Sequence, residues 1–116
     1  MSELSAKAKP ASFFDLYTRG EVSPGDIDDF VGRWHDRVES AARHVPLHEY
    51  LGMSRTEYEV WLCDPFALPE ILQARRTGHA LTGVMRARYE AMRAANCPQD
   101  AAILYALGNW LNQPAH

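Results

Sequence analysis

Leu47-His48-Glu49-Tyr50-Leu51-Gly52-Met53-Ser54-Arg55-Thr56-Glu57-Tyr58-Glu59-Val60-Trp61-Leu62 is the stretch whose reading decides the fold. Pro46 to Leu51 reads as a short helix closed by Gly52. Glycine suits that position because helix ends favour a left-handed residue, which costs glycine no steric energy. Ser54-Arg55-Thr56-Glu57 is a capping box, and Met53 with Tyr58 has the spacing of a hydrophobic staple. Tyr58, Trp61 and Leu62 then form an apolar stripe. Two helices joined by a glycine turn have the layout of a helix-turn-helix. The second helix carries Glu57 and Glu59 where a DNA reader would carry basic and amide side chains.

Helical spacing continues on both sides. Ser12 stands three residues before Asp15, an N-cap signature, with Phe13, Leu16 and Tyr17 on one face and Gly20 as a stop. Ser23-Pro24-Gly25-Asp26 opens a second helix, with Pro24 at its first position and Asp26 at the positive end of the dipole. Ile27, Phe30, Val31, Trp34, Val38, Ala42 and Val45 recur along it at three- and four-residue steps. Beyond Leu62, Asp64-Pro65 breaks the chain, Pro69 restarts a helix that runs to Gly78, and Leu81 to Ala95 forms another. Pro98 to Asn112 is apolar nearly all round, through Ile103, Leu104, Leu107, Trp110 and Leu111. Such a helix is either central to a core or covered by a partner. No run alternates like a strand. The sequence predicts an all-α fold, a compact bundle of five to seven short helices. Trp34, Phe30, Tyr58, Trp61 and Leu62 are expected to share its core. Residues 1–11 are expected to form an arm, and 12–116 a single helical domain, made of a 12–76 core and a 77–116 extension.

Bulk numbers fit that picture. The 116 residues are 47% hydrophobic and 23% charged, which is ordinary for one folded domain. A net charge of -3 gives no support to nucleic acid as a partner. No apolar run approaches the roughly 20 residues of a membrane span. Met1 to Pro10 has two lysines and no apolar stretch, so no signal peptide and a cytoplasmic location are expected. Cys63 and Cys97 read as free thiols.

Charge is segregated. Residues 44–70 hold Glu49, Glu57, Glu59, Asp64 and Glu70 against Arg55. Residues 71–95 hold Arg75, Arg76, Arg86, Arg88 and Arg93 against Glu90. One reading pairs the two halves within the fold. The other presents one half to a partner, where charge sets association rate and register.

Chemistry-bearing motifs are sparse. His44 and His48 are four apart, but Pro46 between them disrupts a shared helical face, and no metal-ligand spacing occurs. Asp26, Asp28 and Asp29 are explained by the preference of helix starts for acids. There is no nucleophile elbow, phosphate loop or dinucleotide fingerprint, and neither cysteine has the local setting of a nucleophile. No cofactor, no metal and no enzymatic activity are expected.

Asp28-Asp29-Phe30-Val31 with Trp34-His35, then Leu47 to Met53, Glu57-Tyr58, Trp61, Asp64-Pro65, Leu68-Pro69 and Ala74-Arg75-Arg76, resembles a group of small bacterial helical proteins without an assigned activity. The resemblance covers residues 12–76. It implies a component of a toxin–antitoxin or defence gene pair. The expected function is a non-enzymatic interaction module that binds a partner protein, or a second copy of itself. Its expected contact residues are Arg86, Arg93, Leu104, Leu107, Trp110 and Leu111, because Trp and Arg dominate interface hot spots. The alternative is a DNA-binding regulator. The stretch 47–62 is similar to the motif of many bacterial repressors, and in that alignment Arg55 and Thr56 would reach base edges or phosphate.

Overall fold

The computed structural model describes residues 11–40 and 45–113, with the side chains of 37–40 left out of the description. The described residues contain seven α-helices and no strand. They are α1 (Phe13–Thr18), α2 (Ile27–Ser40), α3 (Leu47–Leu51), α4 (Arg55–Cys63), α5 (Leu68–Thr77), α6 (Leu81–Ala95) and α7 (Ala101–Leu111). Short 3-10 turns, Pro24–Asp26 and Pro98–Asp100, lead into α2 and α7. The fold is all-α. The chain divides into two compact units, Met1–Met53 and Ser54–His116. The division falls inside the 47–62 stretch, so α3 closes one unit and α4 opens the other.

In the first unit, α1 is held by a reciprocal cap. Ser12 Oγ accepts from the Asp15 N–H at 3.1 Å, and Asp15 accepts from the Ser12 N–H at 2.9 Å. Phe13, Phe14 and Tyr17 are buried, and Phe13 meets Phe30 of α2 edge-on at 5.5 Å. Asp26 accepts from the Ser23 N–H at 2.9 Å, which fixes the turn before α2. Trp34 Nε1 donates to Val45 O at 2.6 Å and ties α2 to the chain entering α3. Gly52 ends α3 in the left-handed region at φ 81°. A Cβ there would fall on Ser12 Oγ, so glycine is required by space as well as by backbone.

In the second unit, Ser54 caps α4 as expected. Ser54 Oγ accepts from the Glu57 N–H at 3.1 Å, and Glu57 Oε1 accepts from the Ser54 N–H at 2.8 Å. The buried residue of α4 is Val60. Leu62 lies about 200° round the helix from it, by the 100° step per residue. Leu62 is 60% exposed, which corrects its expected place in a core. The stripe Tyr58–Trp61–Leu62 sits out of phase with the face that is buried. α7 packs on α4 and on α6, and α5 packs on α6. Ile71, Met85 and Leu107 are completely buried. Gly108 lets α7 close on Tyr89 of α6, whose hydroxyl stands 3.1 Å from where a Cβ would lie. No helix among the described residues is long and apolar enough to cross a membrane.

Candidate functional site

The basic and acidic halves meet inside the second unit. Arg75 of α5 grips Glu57 of α4 through Nε at 2.8 Å and Nη2 at 2.6 Å. This fork matches a carboxylate in two-point fashion. Burial alone would raise the Glu57 carboxyl. The Arg75 hydrogen bonds, the Ser54 cap and the Arg75 charge outweigh that and hold it below its ordinary value. Asp64 is completely buried, and Arg88 of α6 reaches it through Nε at 2.6 Å and Nη2 at 3.4 Å. The Phe66 N–H donates to Asp64 Oδ1 at 3.1 Å, the oxygen that Arg88 Nη2 also approaches. Arg88 Nη1 also stands 3.6 Å from Glu70. Three of the five acids of 44–70 are thus partners of arginines in 71–95. Glu59 is engaged differently and accepts from Trp110 Nε1 at 3.1 Å.

The alternative site is altered by this arrangement. Arg55 is exposed and Thr56 is half-buried. Glu57 spends its charge on Arg75 and on the cap, and its side chain is 14% exposed. It is a structural acid rather than a surface one, which the sequence could not separate from a phosphate-repelling residue.

The expected contact residues split into two groups. Arg86 and Arg93 are exposed on α6, with the Arg93 guanidinium 5.8 Å over the Tyr89 ring. Leu107, Trp110 and Leu111 are buried within the chain, and Leu104 is half-buried. The expectation that Leu107, Trp110 and Leu111 form a docking surface is corrected by that burial. α4 and α6 already cover this side of α7. Burying one such side chain is worth about 1.5–3 kcal/mol, so exposing them to a partner would first cost several times that.

The other side of α7 is open. Tyr105 is 76% exposed, and Ala101 and Ala102 are exposed beside it. The Glu59–Trp110 bond and the Cys63 Sγ–Ala106 O contact at 3.7 Å show α4 and α7 running antiparallel. In an antiparallel pair, the residue before each contact residue projects to the same side, given the 100° step. Leu62 precedes Cys63 and Tyr105 precedes Ala106, so the two exposed side chains share one face. Phe66, in the turn that leaves α4, is 72% exposed. Three large apolar side chains of one unit therefore stand in solvent. Sequence reasoning missed this face. It assigned Leu62 to a core, treated Asp64-Pro65 only as a break without reading Phe66 beside it, and read α7 without a phase.

Cys63 borders the same face. Burial, then the charges of Glu59 and Asp64, push its thiol up, which disfavours the thiolate that nucleophilic chemistry needs. Both cysteines are free. No family model, curated protein or solved structure matches the chain.

Proposed function

We propose that the chain is a non-enzymatic interaction module. It docks a partner protein on the α4–α7 face that carries Leu62 and Tyr105, with Phe66 exposed in the turn that follows α4. The observation behind this reading is the exposure of those three side chains, at 60%, 72% and 76%. Isolated exposed apolar residues are ordinary, but grouped ones mark interaction surfaces. Tyrosine adds large rigid area with a polar tip, which suits a surface that is wet when free and covered when bound. Arg86 and Arg93 are retained as exposed charges of the same unit, able to steer association. The resemblance of residues 12–76 supports a toxin–antitoxin-like pair as the setting, with the other member as the partner.

A double variant, Leu62→Ser with Tyr105→Ser, tests the reading. Partner binding measured by calorimetry should weaken at least about a hundredfold, a loss on the order of two hot-spot side chains. The helical circular dichroism should be unchanged, because neither residue is buried. Undiminished binding would move the interface elsewhere.

A further inference from the structure

Arg55 adds a charge to the docking face. It stands seven residues before Leu62 on α4, two turns or about 10.5 Å along the axis, so the two share a side of the helix. Arg55 is exposed, and its guanidinium makes no ion pair among the described residues. Local rules put it in the wrong place. It opens α4, where the positive end of the helix dipole disfavours a cation. Two acids of α4 lie close to it in sequence, and both are engaged. Glu57 holds the cap at Ser54 and the fork from Arg75. Glu59, about one turn from Arg55, accepts from Trp110 Nε1 on α7.

Around Arg55 the exposed part of the face is uncharged. Ala102, Tyr105 and Asn109 are exposed on α7 at three- and four-residue steps, which keeps them on one side of it. Leu62 completes the surface from α4. An occupant that fits must cover apolar area at one end and meet a cation at the other. A second copy of the chain fits poorly. A symmetric pair sets the same patch against itself, and this patch offers Arg55 no carboxylate beyond Glu59, which Trp110 already holds.

We propose that the occupant of this face is an acidic amphipathic helix of another protein. This rests on the reading of the α4–α7 face as a docking surface. Apolar side chains at helical spacing lie across Leu62 and Tyr105. A carboxylate about two turns away meets Arg55. That ion pair sits at the rim, so it acts on register and association rate.

The test titrates two synthetic helical peptides into the isotope-labelled full chain and follows amide chemical shifts at low ionic strength. Both peptides carry leucines at helical spacing. About two turns from the leucines, one peptide carries glutamates and the other lysines. Each is made in both orders, with the charges before or after the leucines. The glutamate peptide should give saturable shifts at the amides of Arg55, Leu62 and Tyr105. It should bind about tenfold tighter than the lysine peptide, a preference that fades with added salt. Arg55→Glu should reverse the preference and leave the helical circular dichroism unchanged, because the guanidinium is exposed and makes no ion pair. Equal affinities for the two peptides, an unaltered preference in Arg55→Glu, no saturable binding, or a dimer of the chain that Leu62→Ser dissolves would each overturn the proposal. So would a DNA duplex that displaces the glutamate peptide and itself fails to bind Arg55→Glu, since phosphate would then be the anion. Equal affinities that Leu62→Ser abolishes would leave the docking reading standing, whereas binding undiminished by Leu62→Ser would remove that reading as well.

Discussion

Asp64 is a carboxylate with no exposed surface, tolerable only because Arg88 and the Phe66 N–H complete its hydrogen bonds. Arg88→Met should therefore destabilise the chain by about 3–5 kcal/mol in denaturant unfolding, since it strands a buried charge. Adding Asp64→Leu to that variant should return part of the loss. A small effect of Arg88→Met alone would mean that water reaches Asp64. Glu57 behaves in the opposite sense to a repelling surface acid. Its folded carboxyl is held below the ordinary value of 4.5, so its contribution is fully present above that pH. The contribution is lost as pH falls below 4.5 through the depressed folded value. Glu57→Gln should flatten the acid limb of a stability-versus-pH curve in that window. An unaltered limb would show that the Arg75 fork does not persist in solution.

At the scale of elements, the helix starts and stops were the most legible part of the sequence. Ser12 with Asp15, Ser54 with Glu57, and the left-handed Gly52 and Gly78 all stand where local chemistry put them. These signals are contained within a few residues, so no long-range contact has to be guessed. Ser54→Ala should cost on the order of 1 kcal/mol, read as a shift in denaturant midpoint. Phase was the illegible part. α4 offers Tyr58, Trp61 and Leu62 as one apolar stripe and Val60 as another choice, and burial selects Val60, which lies between the Glu59 and Cys63 contacts to α7. α7 itself is apolar on every side, so its pattern cannot say which side faces α4 and α6. For the same reason the expected contacts at Leu107, Trp110 and Leu111 and the observed open face at Tyr105 were indistinguishable before the packing was known.

For the molecule as a whole, part of the segregated charge is spent internally: Glu57, Asp64 and Glu70 are held by Arg75 and Arg88. What the second unit offers to another molecule includes three large apolar side chains, Leu62, Phe66 and Tyr105, beside the exposed charges of Arg86 and Arg93. A partner that covers them should gain roughly the transfer energy of these side chains, less the cost of ordering the interface. The most direct measurement places a photo-crosslinking amino acid at position 105 in the native host. A matched control carries it at Glu90, an exposed residue of α6. The account expects one discrete adduct from position 105, to another protein or to a second copy of the chain, that disappears when Leu62→Ser is added and is absent from position 90. Equal crosslinking from both positions, or an adduct at 105 that survives Leu62→Ser undiminished, would contradict it.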